Sequence, residues 1–215
     1  MKMAAIRKKT VILLLFFVAA ASGSGLSGNR PLEGKVQAVY DGDTVRLETG
    51  ENVRYLGMDA PEVAHSREPA DCFGDAARRA NAIMVLGKKV TLRYEGETVD
   101  HYGRLLAYVF LPDGTCVNLE MVKSGNASIY RTVERFGMLP EFIRAQREAI
   151  KERRGLWGAC PVKPAAAYFG NIHTFVFHRP ECEFGREISA LNRTRFPDRW
   201  AALDEGFSPC RACKP

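Results

Sequence analysis

Three β-favouring stretches follow one another almost without pause between Gly34 and Met58, and they constrain the fold more than any other feature of the chain. Gly34–Tyr40, Thr44–Glu48 and Asn52–Met58 read as short strands, separated by "DGD" and "ETGEN", both of turn composition. A helix is predicted from Gly74 to Leu86, ended by Gly87. Two further strands read at Val90–Tyr94 and Leu105–Leu111, with "PDG" turning the chain after the second. A short helix is expected near Asn118–Ser124. A longer one starts at Pro140 and ends near Gly155, with Phe142, Ala145 and Ala149 on one face. Five short strands with about three helices inserted and appended predict a small β-barrel of the OB type.

The chain has 215 residues, enough for one full domain and a small addition. Its formal charge of +6 suggests a polyanionic partner, but the N-terminus accounts for most of it. Lys2, Arg7, Lys8 and Lys9 precede an apolar run of 11 residues, Val11 to Ala21, and small residues follow. That run is too short for a standard membrane-spanning helix. Residues 1–24 therefore read as a secretory signal, which places the protein outside the cytoplasm, secreted or periplasmic. An uncleaved membrane anchor is the alternative. Removing those four basic residues from +6 leaves +2, so basicity alone is weak ground for a nucleic-acid partner.

The strand Asn52–Met58 runs into "DAPE", which ends it in two acids and a proline. Folded as an antiparallel hairpin centred on Glu51, the segment sets Asp43 opposite Asp59. Two close carboxylates repel unless a positive charge lies between them, and hard oxygen ligands suit Ca²⁺ or Mg²⁺. The plainer reading is a solvated loop end. "VDHYGRLLAY" then places Asp100, Tyr102 and Arg104 before the fifth strand. An acid pair able to hold a metal, two arginines and a free carboxylate together describe phosphodiester hydrolysis. That reaction needs an activated water, a cation against the phosphate, and donors for the charge of the transition state. Arginine's planar fork suits two phosphate oxygens at once.

"DGDTVRL", "NVRYLGMDAPE", "FGDAA", "HYGRLLAYV" and "RRGLWG" resemble, in order and spacing, the staphylococcal nuclease (thermonuclease) family. The resemblance covers residues 32–158. It implies an OB-fold and calcium-dependent cleavage of DNA and RNA that leaves 3′-phosphate ends. By motif position it implies that Asp43, Asp59 and the carbonyl of Ala60 bind calcium, with Asp41 as a supporting acid. It makes Arg54 and Arg104 the phosphate-binding arginines and Glu62 the carboxylate that activates or orients water. Tyr102 matches an aromatic near the nucleotide, and Tyr130 stands about one position from the family's second one. His101 replaces a common lysine. Hairpin arithmetic leaves Arg54 far along the strand from Asp59, so its role rests on the resemblance.

Residues 159–170, "ACPVKPAAAYFG", read as a linker, and residues 171–215 as a separate small module. His178, Cys182, Cys210 and Cys213 form the pattern H-x3-C-x27-C-x2-C, which suits a tetrahedral zinc site. Disulfides are the alternative in an exported chain, and a redox-active C-x2-C is a third reading. "RPEC" and "ALDEGFSPCRACKP" resemble the zinc-binding N-terminal domain of the DNA repair protein Ada. That family uses four cysteines, the first being a methyl acceptor. His178 stands in its place here, so the resemblance implies structural zinc without repair chemistry. Arg179, Arg186, Arg193, Arg195 and Arg211 would give the module a basic surface. His173 is a weaker ligand choice because of its distance from Cys182. With three cysteines on zinc, Cys116 reads as core and Cys72 pairs with Cys160.

The leading reading is an exported, monomeric, calcium-dependent nuclease acting on DNA, RNA or both, with no protein partner inferred. A non-catalytic nucleic-acid-binding barrel with a zinc knob is the alternative. A binder could dispense with Arg54, Glu62 and Arg104, and all three are present.

Overall fold

Eleven short strands and six α-helices are found among the described residues of the computed structural model, which are 30, 32–65, 69–131 and 136–215. The expected signal at residues 1–24 lies outside them. β1 (Glu33–Val39), β2 (Thr44–Leu47), β3 (Asn52–Tyr55), β5 (Lys89–Arg93) and β6 (Leu105–Phe110) close into a barrel in the order β1-β2-β3-β6-β5. This is the OB-type architecture. Alternation drives it: in β5, Val90 and Leu92 are buried while Lys89, Thr91 and Arg93 face water. β3 and β6 run parallel, and every other seam of the barrel is antiparallel.

The third expected strand is broken in two. β3 stops at Tyr55, and β4 (Met58–Asp59) resumes after a bend at Leu56–Gly57, pairing with β7 (Ser128–Ile129). Gly57 has φ +81°, a left-handed conformation that side chains resist, and a Cβ there would stand 3.0 Å from the Phe136 ring. Asn118, fully buried at the start of α2 (Val117–Lys123), latches this bend. Its Nδ2 donates to the Leu56 and Ala107 carbonyls at 3.0 and 3.1 Å, and its Oδ1 accepts from the Val109 amide at 2.8 Å.

α1 (Gly74–Val85), α2 and α3 (Leu139–Lys151) cover the barrel, and the short α4 (Leu156–Ala159) follows. The C-terminal segment forms a four-stranded sheet, β10-β8-β9-β11, from β8 (Tyr168–Asn171), β9 (Val176–His178), β10 (Arg193–Phe196) and β11 (Ser208–Pro209). β8 begins inside the segment expected as a linker. α5 (Glu183–Arg186) and α6 (Arg199–Asp204) flank the sheet. A segment this short cannot bury a large core alone. It borrows one: Tyr168, Phe177, Phe196, Leu203 and Phe207 pack with Ala149 of α3 and Trp157 of α4. Gln146, fully buried on α3, joins the two sides; its Oε1 accepts from the Ile129 amide and its Nε2 donates to the Leu203 carbonyl. From Pro31 to Pro215 the chain is one compact unit.

Candidate active site and metal cluster

The β2–β3 register pairs Thr44 with Arg54 and Val45 with Val53, which centres the hairpin on Thr49 rather than Glu51. Asp43 therefore faces Tyr55, whose amide donates to the Asp43 carbonyl at 2.8 Å, and not Asp59. The bend at Leu56–Gly57 brings Asp59 back instead. Arg54 Nη1 lies 2.7 Å from Asp43 Oδ2 and 3.1 Å from the Met58 carbonyl, and Nη2 lies 2.6 Å from Asp59 Oδ1. One guanidinium thus bridges the two acids, a role that strand arithmetic could not reveal. Asp43 Oδ2 also accepts from the Ala60 amide at 2.7 Å, and Asp41 Oδ1 accepts from the Asp43 amide at 2.8 Å. Gly42 permits this crowding, since a Cβ there would stand 2.5 Å from that of Ala60.

Burial pushes the Asp43 carboxyl well above the usual range; Arg54 opposes this, and Asp41 and Asp59 add to it. The fold therefore binds a proton at Asp43 that the unfolded chain has already lost. Between the two pKa values stability falls as pH rises, so at neutral pH the charge withholds stability from the metal-free protein. Asp43→Asn is expected to raise its melting temperature in chelator by about 2–8 °C. An amide can still accept from Ala60 and Arg54 and face Thr44 Oγ1, so the packing survives. A lower melting temperature would contradict this account.

Glu62 sits on the loop after β4. Its carbonyl accepts from the Asp71 amide at 2.9 Å, and its amide lies 3.3 Å from Asp71 Oδ2. Gly74, opening α1, lets that loop approach; a Cβ would meet the Glu62 carbonyl oxygen at 2.1 Å. Burial pushes the Glu62 carboxyl up, Arg211 opposes, and Asp41 and Asp59 add to the rise. A carboxylate whose pKa is raised is a stronger base in its ionised form. A disulfide joins Cys72, at the end of this loop, to Cys160 after α4. Cys116 is a buried free thiol at the start of α2, raised by burial.

Arg104 stands just before β6, next to the strand that carries Arg54. Asp100 holds it: Arg104 Nε donates to Asp100 Oδ2 at 2.7 Å and its amide to Oδ1 at 2.9 Å. Tyr102 is 73% exposed, its ring 5.2 Å from the Arg104 guanidinium and 3.8 Å from the His101 ring. Such an aromatic is free to take a stacked base. Tyr130 is half-buried beside β4, its amide donating to the Gly57 carbonyl at 3.0 Å.

The tail sheet brings the second constellation together. β9 and β11 run parallel with Pro209 beside Phe177, which sets Cys210 against His178. Cys182 follows as the residue before α5, and a tight turn returns Cys213, with the Lys214 amide donating to the Cys210 carbonyl at 2.9 Å. The ligand atoms of His178, Cys182, Cys210 and Cys213 all lie within 4.8 Å of one another. His178 Nδ1 and Cys182 Sγ are 3.4 Å apart. Tetrahedral bonds of about 2.0–2.3 Å place neighbouring ligand atoms roughly 3.3–3.8 Å apart, so the His178–Cys182 separation already fits a metal ion and the widest separation, within 4.8 Å, is about an ångström from doing so. The Cys210 thiol is pulled far down by a hydrogen bond from Cys213, against burial and with His178 and two backbone amides assisting. A thiolate is the form that binds metal. His173 is exposed in the β8–β9 turn, outside this cluster.

Arg211 was expected only as surface charge. It lies inside the barrel site: Nε donates to Asp59 Oδ2 at 3.0 Å, Nη2 pairs with Asp59 Oδ1, and Nη1 is 3.7 Å from Glu62 Oε1. No local signal places residue 211 beside residue 59.

A closed OB barrel with acids and arginines gathered at the end of β3 defines an enzyme of the nuclease class. Residues 52–159 match the staphylococcal nuclease homologue family. The chain is 35% identical over 127 residues to the thermonuclease of Staphylococcus intermedius, covering 57% of this chain and 74% of that one. It is 35% identical over 137 residues to an uncharacterized endonuclease of Escherichia coli, covering 62% and 82%. It shares 35% identity over 137 residues with endonuclease YhcR of Bacillus subtilis, covering 58% of this chain but 11% of that protein. This chain belongs to the staphylococcal nuclease homologue family. The tail beyond residue 159 lies outside the family match.

Proposed function

We propose that the protein is an exported calcium-dependent nuclease that hydrolyses phosphodiester bonds of DNA, RNA or both and leaves 3′-phosphate ends. The observation that carries this is Arg54 bridging Asp43 and Asp59, with Glu62 on the adjoining loop. The all-oxygen donor set and its surplus negative charge fit a hard cation, and guanidinium groups supply part of that neutralisation here. Asp43, Asp59 and the Ala60 carbonyl would hold calcium, with Asp41 positioning Asp43 through its amide. Bound there, calcium supplies Lewis-acid neutralisation of phosphate charge.

The side chains have the following work. Glu62 accepts the proton of the attacking water as its oxygen bonds to phosphorus. The bond to the 5′ oxygen breaks, that oxygen takes a proton from solvent water and leaves as a hydroxyl, and Glu62 returns its proton to solvent. Arg54 and Arg104 donate to the non-bridging oxygens, where charge grows. Tyr102 and Tyr130 flank the nucleotide. Incubation with single-stranded DNA tests the reading: cleavage is expected with calcium and not with chelator. Equal cleavage in chelator would sink the calcium assignment.

The tail is read as an Ada-like zinc module held by His178, Cys182, Cys210 and Cys213, without methyl transfer because His178 replaces the acceptor. The soft and borderline donors favour zinc, as the barrel's oxygens favour calcium. Export is supported by the N-terminal signal composition and by the Cys72–Cys160 disulfide, a bond typical of oxidising compartments. The exported chain is expected to begin between Ala21 and Gly25. Mass spectrometry of exported protein that still begins at Met1 would contradict cleavage and favour an anchor.

A further inference from the structure

Asp59 has no free oxygen. Its Oδ1 takes Arg54 and Arg211, and its Oδ2 takes Arg211 Nε at 3.0 Å. Arg211 thereby covers both oxygens of one acid and reaches the carboxylate of Glu62 at 3.7 Å. Its guanidinium stands 5.7 Å from the Tyr130 ring centre. The neighbouring Lys214 pairs with Asp71 Oδ1, and the other oxygen of Asp71 lies 3.3 Å from the Glu62 amide. The tail turn is thus fixed at two acids of the same loop region.

The turn itself is held by the cluster. Arg211 lies between Cys210 and Cys213, two of its four ligand residues, and the Arg179 amide donates to Cys213 Sγ at 3.4 Å. A cation carried on a fixed turn needs no diffusion to reach its seat, so its effective concentration there is high.

A metal ion bonded to Asp59 would compete with Arg211, which contacts both carboxylate oxygens and holds two of the three lone-pair sites now taken, and the two positive charges would repel. We propose that Arg211 is an active-site residue of this nuclease, a tethered counter-cation that calcium must displace from Asp59, and that the tail cluster seats it there. The proposal rests on the calcium reading of the barrel site. It makes the tail, which lies beyond the family match, the element that sets the calcium affinity of the barrel. A free phosphate-directed arm is the contrasting role for the same residue.

The test is calcium titration by calorimetry on the whole zinc-loaded chain, with R211A, R211Q and R211K, and zinc content measured on each as a control for folding of the tail. R211A and R211Q are expected to bind calcium about five- to tenfold more tightly than the parent. R211K, which keeps the charge but lacks the fork, is expected to fall between. Stripping zinc is expected to tighten calcium binding in the parent and to change R211A little. Unchanged or weaker calcium binding by zinc-loaded R211A would overturn the proposal. So would unchanged calcium binding with weakened affinity for a DNA oligonucleotide in chelator, which would mark a phosphate arm. D43N separates the two readings: a parent that titrates no differently from D43N removes the calcium site itself, and this inference with it.

Discussion

Arg54→Ala is expected to lower turnover about 100-fold and to destabilise the fold by about 3 kcal/mol, whereas Arg104→Ala should lower turnover comparably with a stability change within about 1 kcal/mol. Both arginines are read as donors to the transition state, so both cost rate. Their resting partners differ. Arg54 is buried with side-chain exposure of 7% and neutralises Asp43 and Asp59, with Asp41 close by. Its removal leaves buried carboxylates facing one another. Among the described residues Arg104's ion pair is with Asp100, four residues away in sequence, at a site open enough for water to replace it. The same asymmetry separates Arg54→Ala from Asp43→Asn, which removes a charge of the sign in excess. Cleavage rates on single-stranded DNA and denaturant midpoints would decide. Full activity in Arg104→Ala, or parental stability in Arg54→Ala, would refute the assignment.

Removal of zinc is expected to unfold or loosen the tail sheet while the barrel remains folded. Structural zinc contributes on the order of 10 kcal/mol in small modules, far more than the few aromatic contacts of the tail can replace. Metal analysis under reducing conditions should find one zinc per chain, and chelation should expose the tail beyond Tyr168 to protease. Cleavage of short substrates at saturating calcium should persist, because Arg54, Glu62 and Arg104 all belong to the barrel and its loops. Cys182, Cys210 and Cys213 are free thiols in the structure. Finding no zinc, with Cys182 oxidised to Cys210 or Cys213 in the exported protein, would refute the zinc reading.

The sequence by itself determined where the strands of the barrel run. Alternation in a segment such as Lys89–Arg93 is set by which neighbours must be buried, and that information is local. The residues of the proposed site were legible through the resemblance, because the family's motifs are short contiguous stretches such as "NVRYLGMDAPE". Register was not. A hairpin centre two residues from the true one changes which residue faces Asp43, and composition in "ETGEN" does not select between them. Only the tertiary structure decided that Leu56–Gly57 bends, because the bend depends on Asn118 arriving from α2. It alone joined the tail to the barrel core, since the tail has too little apolar surface to close a core without Ala149 and Trp157. Arg211 shows the limit most plainly. It meets Asp59 across 152 positions, and nothing near either residue encodes the other. Their contact follows from the parallel pairing of β9 with β11 and the docking of α6 against α3, which are decided by packing.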